Sequence, residues 1–490
     1  MSSLDQFNSW HADWTKLKAV VFGLGVSGFS VADTLAELGA QTLVIAEKAE
    51  PDLLDILDVI GVPHIIGDSA KGVSPEVADF NPDVIVTSPG VRPEHPLLAW
   101  AAANDIAVWV DIDLAWRVRD KTDRVAQWFT VTGTNGKTTT VQLLTAMLNS
   151  GGIKTESCGN IGKPILDAIR DPEGFDALVV ELSSFQLHYL GEIQPFASAV
   201  LNIADDHLDW HGGFEAYRST KGKVYENTIQ ACVYNAMDKS TEQLVEDADV
   251  VEGARAIGFT LGIPGRSQVG YVEEFLCDRA FIEDRATAAL EIASIDDINQ
   301  IGVLTPHLLA NTAAATAMAR SAGVPAEAIR EAIREFRLDA HRIELVAEAN
   351  GVRWFDDSKA TNPHAADASL SSFERVIWVV GGLLKGVDIG PLVTKHKATL
   401  AAAIVIGKER EPVLSALAQN APDVPVVEIT AEAGTPVMTA VAEAAGALSR
   451  SGDVVLLAPA AASMDQFKDY AERGQAFSSA AHAWIRDHNG

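Results

Sequence analysis

An apolar run, Val125–Val131, leads directly into Thr132-Gly133-Thr134-Asn135-Gly136-Lys137-Thr138-Thr139. Over Thr138–Asn149 the apolar residues Val141, Leu144 and Leu148 share one helical face, and Gly151 lies past the end. Strand, glycine-bearing loop and helix in that order bring backbone N–H groups and a helix N-terminus to one point. Lys137 is then available to phosphate oxygens, and a hydroxyl to Mg2+. Val131 stands where a full GxxxxGK[ST] pattern has its first glycine, so the GK[ST] ending carries the reading, against a chance Gly-Lys-Thr in a loop.

The same alternation extends to both sides. Upstream, Lys18–Leu24 reads as a buried strand, Phe29–Leu38 as a helix ended by Gly39, and Thr42–Ala46 and Val84–Thr87 as further strands. The polar stretch 117–124 (RVRDKTDR) breaks the pattern. Downstream come strands at Ala177–Leu182 and Ala197–Ile203, a small antiparallel excursion within 238–300, and helices over 307–336. A third series has strands at Arg353–Phe355, Arg375–Val380, Ala402–Ile406 and Val454–Leu457. A chain of 490 residues accommodates about three domains. The expected α/β architecture is three parallel-sheet blocks: 1–122, 123–338 and 339–490.

Composition narrows the partners. Sixty-seven acidic residues against 38 basic ones give a net charge of -29, which disfavours broad binding to nucleic acid or anionic lipid. Cys158, Cys232 and Cys277 are far apart, so neither a disulfide framework nor a cysteine zinc site is expected. The first 14 residues lack the apolar core of an export leader, and no apolar run reaches 18 residues, so no membrane insertion is expected.

Other candidate groups fall at strand ends. Gly23-Leu24-Gly25-Val26-Ser27-Gly28 matches GxGxxG, with Glu47 after the next strand where a dinucleotide site carries its ribose-binding acid. The motif itself specifies a diphosphate, against the lesser alternative of a glycine-rich turn with no ligand. Glu181 ends a strand and suits Mg2+ beside the phosphate loop; Ser183 and Ser184 suit a helix cap. Asp205, Asp206, His207 and Asp209 suit a second cation or a phosphate-rich site. In the third block Asp356–Asn362, Lys385 and Ala462–Phe467 each read as a turn with helix caps, but together they suit a small anionic substrate. Spacing alone makes Lys221 a solvated surface lysine. A nicotinamide oxidoreductase would account for Gly23–Glu47 but not for the phosphate loop, and a nucleotide-binding switch would leave the third-block lysines unexplained.

The segments GTNGKTTT (133–140), ELSSFQL (181–187), NIADDHLDWHG (202–212), AHRIE (340–344), DDSKATN (356–362) and SMDQF (463–467) occur in that order. They resemble the Mur ligases, from GLGVSG at 23–28 to SMDQF. The phosphate loop is shared with folylpolyglutamate synthases, which lack the GxGxxG block; SSFQL and SMDQF are the more specific marks. The resemblance implies a Rossmann-like N-terminal domain, a central P-loop domain and a Rossmann-like C-terminal domain. It further implies an ADP-forming ligase that joins D-glutamate to UDP-N-acetylmuramoyl-L-alanine through an acyl phosphate. The setting it implies is cytoplasmic peptidoglycan precursor synthesis by a monomer, with ATP bound between the second and third domains.

By the same resemblance Gly133, Thr134, Asn135, Gly136, Lys137, Thr138 and Thr139 cradle the ATP phosphates, and Asn311, Arg342 and Asp357 complete the ATP site. Thr138 and Glu181 take one Mg2+, His207 and a carbamylated Lys221 a second, and Lys359 lies near the transferred phosphate. Val26, Ser27, Glu47, Lys48, Ser88, Pro89, Gly90, Asn160 and His207 hold the UDP substrate. Thr361, Lys385, Ser463, Met464 and Tyr470 form the D-glutamate pocket. Ala46 stands where the family carries an acid, Leu308 where it carries a second asparagine, and Tyr470 where Phe is common.

Overall fold

This computed structural model of the chain describes residues 4–431 and 433–488; Met1–Ser3, the start of the segment read as lacking a leader, lie outside them. The first sheet is wholly parallel. Its strands are β1 (Lys18–Phe22), β2 (Gln41–Ala46), β3 (His64–Ile66), β4 (Val84–Thr87) and β5 (Ala107–Trp109), in the order β3-β2-β1-β4-β5. β1 is buried on both faces, as a continuous apolar run requires. It stops at Phe22, two residues short of the expected end, because Gly23 turns the chain with φ 99°. The order reverses beside β1, which opens a crevice at the C-terminal ends of β1 and β4.

The second sheet has β6 (Gln127–Thr132), β7 (Thr155–Gly159), β8 (Ala177–Glu181), β9 (Ala197–Val200), β10 (Ala231–Asn235), β11 (Arg255–Phe259), β12 (Gln268–Val272), β13 (Phe275–Asp278) and β14 (Leu290–Ser294). Its order, β14-β13-β12-β11-β10-β9-β6-β8-β7, again reverses beside the strand that precedes the phosphate loop. The antiparallel excursion expected within 238–300 is narrower than the sequence suggests. β10, β11 and β12 pair in parallel, and only β12–β13 and β13–β14 are antiparallel. Asp238 caps the helix Lys239–Glu246 through Ser240 N at 2.9 Å, which turns acidic sequence into a crossover connection.

The third sheet has β15 (Glu344–Ala349), β16 (Val352–Asp356), β17 (Val376–Gly381), β18 (Leu400–Ile406), β19 (Val426–Glu428) and β20 (Val454–Leu457), ordered β15-β16-β20-β17-β18-β19. All neighbours are parallel except β15 with β16. Period-two alternation sorts its apolar residues: Val376, Trp378 and Val380 enter one core, Ile377 and Val379 the other. The ends of β16, β20 and β17 thus lie side by side.

The chain divides into two compact units, Met1–Ser294 with Ala310–Ile333, and Ile295–Leu309 with Arg334–Gly490. Residues 295–309, which the sequence groups with the middle block, fall in the second of these units. The first two sheets share one apolar core that runs from Leu4 and Trp14 through Val110 and Trp128 to Leu178. An N-terminal arm closes it: Leu4, Phe7 and Trp14 are buried, and Ser9 Oγ and Trp10 N donate to Asp120 at 2.5 and 2.7 Å. Arg117 reaches the carbonyls of Leu4 and Phe7, so the arm holds the connection between the sheets. Among the described residues no helix is long and apolar enough to cross a membrane.

Candidate active site

In the crevice of the first sheet, the turn after β1 packs too tightly for side chains. A Cβ on Gly28 would lie 2.0 Å from the carbonyl oxygen of Gly23, and one on Gly23 would lie 2.3 Å from Ser88 Oγ. Gly25 differs, because a Cβ there would meet nothing within 4 Å. The turn therefore presents bare backbone outward at the head of the helix Val26–Glu37, which suits a diphosphate. Val26 is 72% exposed at that rim, Ser27 half-buried, and Ser88 and Pro89 half-buried beside exposed Gly90. Glu47 and Lys48 are exposed at the end of β2, whereas Ala46 is buried. Below Ser27 lies the buried carboxylate of Asp111, which accepts from Ser27 and, at 3.3 Å, from Gln186 Nε2. Burial pushes its pKa up.

The phosphate loop follows β6 as expected. Thr134 N donates to Asn202 O at 3.0 Å and Asn135 N to Asn202 Oδ1 at 2.9 Å, so the chain after β9 braces the loop. Those bonds explain why β9 stops at Val200. Lys137 Nζ donates to the carbonyls of Gly133 and Thr134 at 2.8 and 2.9 Å. Thr138 Oγ1 donates to Glu181 Oε2 at 2.9 Å, and Asn160 Nδ2 to Glu181 Oε1 at 2.9 Å. Thr139 is buried in the first turn of the helix Lys137–Ser150. A Cβ on Gly136 would lie 2.3 Å from Asn311 Oδ1, so Asn311 packs directly on the loop.

Lys221 is the largest departure from the reading by spacing. It is only 2% exposed, and its Nζ donates to Thr132 Oγ1 at 3.1 Å and lies 5.0 Å from the centre of the Tyr217 ring. Burial holds its pKa well below the ordinary lysine value, and the charge of Lys137 acts in the same direction. Tyr217 in turn shares a 2.9 Å hydrogen bond with Thr134, so one helix, Phe214–Gly222, brings both residues under the loop. His207 caps the short helix Leu208–His211 in the left-handed region, φ 52°, with its ring 3.6 Å from Asp206 and against Phe185. Thr138 and Glu181 offer oxygen donors of the hardness Mg2+ takes, and His207 adds a softer imidazole nitrogen.

In the second unit, buried Asp356 ends β16 and buried Asp357 follows it. Asp356 accepts from His341 at 2.6 Å and raises its pKa, while burial pushes Asp357 up to about 6, with Ser369 and Arg342 opposing. Lys359 lies 4.9 Å from the centre of the Tyr470 ring, half-buried at the head of the helix Tyr470–His488. Thr361 and Lys385 are exposed, the latter at φ 53°; Ser463 is buried and Met464 65% exposed. Asn202, Tyr217, Asp111 and Arg473 escape the sequence reading. Asn202 at least lies inside a quoted motif, but nothing local marks the other three.

Three family descriptions match in chain order: "Mur ligase MurD-like, N-terminal domain" over 17–110, "Mur ligase middle domain" over 131–319, and "Mur ligase, glutamate ligase domain" over 341–461. A UDP-N-acetylmuramoylalanine--D-glutamate ligase of Leifsonia xyli subsp. xyli is 54% identical, covering 98% of this chain and 95% of the relative. Its namesake from Tropheryma whipplei (strain Twist) is 43% identical over 99% of this chain and 100% of that protein. The solved MurF ligase of Thermotoga maritima in complex with ADP has the same fold, with a TM-score of 0.54 at 16% identity, covering 99% of this chain and 100% of that one. Three sheets in this order, a phosphate loop braced by Glu181 and Asn202, and relatives matched almost end to end lead to one conclusion: the chain belongs to the Mur ligases.

Proposed function

We propose that this chain joins D-glutamate to UDP-N-acetylmuramoyl-L-alanine with cleavage of ATP to ADP and phosphate, in cytoplasmic peptidoglycan precursor synthesis. The observation that carries the reading is the convergence of Lys137, Thr138, Glu181 and Lys221 on one strand-end cluster, with likeness to named D-glutamate ligases over nearly the whole chain.

The UDP diphosphate lies on the amides of 23–28, with Val26, Ser27, Glu47, Lys48, Ser88, Pro89 and Gly90 around it, and Asn160 and His207 toward the reacting end. The loop 133–139 cradles the ATP phosphates, Asn311, Arg342 and Asp357 hold the rest of the nucleotide, and Lys359 neutralises charge on the phosphate in transfer. The substrate carboxylate attacks the γ-phosphorus, ADP leaves, and an acyl phosphate forms. The uncharged amine of D-glutamate, held by Thr361, Lys385, Ser463, Met464 and Tyr470, then attacks its carbonyl carbon, and phosphate departs with the proton that the nitrogen loses. Thr138, Glu181, His207 and Lys221 are the residues that would hold magnesium, which would supply positive charge against the phosphates. Burial of Lys221 favours the neutral amine, the form that adds carbon dioxide, and a carbamate there would supply an anionic oxygen to a second ion. We take the working form to be a monomer.

The test is phosphate release from Mg-ATP with UDP-N-acetylmuramoyl-L-alanine and D-glutamate, L-glutamate or no amino acid. Release that needs D-glutamate, with a product heavier by one glutamyl residue, is the expected result. Release with a different acceptor would move the enzyme to another ligation step.

A further inference from the structure

Arg473 lies on the first turn of the helix Tyr470–His488 and is 1% exposed. A guanidinium in so dry a place needs donors satisfied on every side, and this one finds them on two separate loops. Nε donates to Ser358 Oγ at 2.9 Å and Nη2 to Ser358 O at 2.7 Å, a fork around one residue of the loop after β16. Nη1 donates to Ala461 O at 3.0 Å, on the loop after β20. Burial draws the guanidinium down to about 10, against the charges of Asp465, Asp356 and Asp357, so it stays cationic near neutrality.

The two loops it joins carry most of the residues assigned above to the amino acid. Lys359 follows Ser358 directly, Thr361 lies three residues past Ser358, and Ser463 lies two residues past Ala461. Other bonds give the same assembly a fixed geometry. Ser358 Oγ donates to Tyr470 O at 2.8 Å, and Ala460 N to Ala360 O at 2.9 Å. The next residue, Gly474, admits the His341–Asp356 pair: a Cβ there would lie 2.2 Å from His341 Nδ1 and 2.5 Å from Asp356 Oδ2. One turn of helix is therefore the platform on which both loops rest.

We infer that Arg473 is a positioning residue for the amino-acid site: it sets the spacing between the Lys359–Thr361 loop and the Ser463 loop without touching the amino acid. A lysine keeps the charge but, as a single point donor, does not span the carbonyls of two loops with the fork. This inference rests on the D-glutamate reading, and the experiment separates the two. Full-length wild type, Arg473→Lys and Ser358→Ala are compared for KM of D-glutamate, KM of the UDP substrate, kcat and melting temperature. Arg473→Lys is expected to raise the KM for D-glutamate about tenfold while the KM for the UDP substrate stays within twofold. Ser358→Ala, which removes one of the three acceptors, is expected to raise the D-glutamate KM by a smaller factor. A lowered melting temperature with both KM values unchanged would overturn the inference and leave Arg473 a strut of the fold. Should Arg473→Lys not fold, an unchanged D-glutamate KM in Ser358→Ala would do the same. If wild type uses another amino acid, the D-glutamate reading fails, and the same KM comparison with that amino acid decides the role of Arg473.

Discussion

The turns at 23–28 and 133–137 occupy equivalent places, each after the strand beside which its sheet reverses order. In the first, the tight contacts are glycine against glycine and glycine against Ser88, and the outward face is the bare backbone at Gly25 beside exposed Val26. In the second, Lys137 and Thr138 project from the turn, and Glu181 at the end of β8 and Asn202 just past β9 hold it. Beneath the first lies a buried carboxylate, Asp111; beneath the second a buried amine, Lys221. One geometry thus serves two tasks. A diphosphate that only anchors a substrate needs donors and shape, whereas a phosphoryl group in transfer needs charge placed for the transition state.

Removing the charge from the second turn gives the largest expected effect. Lys137→Ala is expected to lower kcat/KM for ATP about 10³-fold, roughly 4 kcal/mol, with the Kd for the UDP substrate little changed. Steady-state kinetics beside calorimetric binding would check it, and equal losses in both would erase the distinction between the turns.

Two glycine substitutions sharpen the contrast inside the first turn. Gly28→Ala forces a methyl group onto the Gly23 carbonyl and is expected to cost about 2–3 kcal/mol in urea unfolding. Gly25→Ala points into open space, at φ -90°, and is expected to leave stability within about 0.5 kcal/mol of wild type. Its effect belongs on substrate affinity, about tenfold in KM for the UDP substrate, or roughly 1.4 kcal/mol.

The smallest effects are on pH dependence, and they have opposite signs. Asp111 has its folded pKa raised, so the folded state holds a proton the unfolded chain has lost, and stability falls as pH rises from about 4 through the folded value. Lys221 has its folded pKa lowered, so the unmodified protein gains stability as pH rises from that folded value to about 10.4. Asp111→Asn and Lys221→Met are expected to flatten the acidic and alkaline limbs respectively in urea titrations. Flattening of the same limb by both would contradict the burial assigned to one of them.

Contiguity decided how much was legible beforehand. The phosphate loop, Glu181 at the end of its strand and the strands Val84–Thr87 and Val454–Leu457 depend on local order and apolar runs, and they lie where the sequence reading expects them. Lys221 reads as a surface residue because its helix is short and polar; only the packing of Phe214–Gly222 under the loop buries it. Arg473 lies more than a hundred residues from Ser358, and no periodicity links them. Asp111 looks like an ordinary helix-start acid until the second sheet supplies Gln186. The antiparallel excursion shrank for a related reason, since parallel and antiparallel edges of one sheet use the same short β-like runs.

The N-terminal arm has a consequence for how the molecule melts. The segment joining the first two sheets is fastened by Asp120 to the arm and by Arg117 to its carbonyls, and one apolar core runs beneath it. Heat should therefore dissolve both sheets in a single cooperative event. A chain beginning at Trp14 loses Leu4, Phe7 and the bonds to Asp120, and scanning calorimetry is expected to resolve that event into two, the first at lower temperature. The short arm ahead of Trp14 would then decide whether two sheets behave thermally as one body.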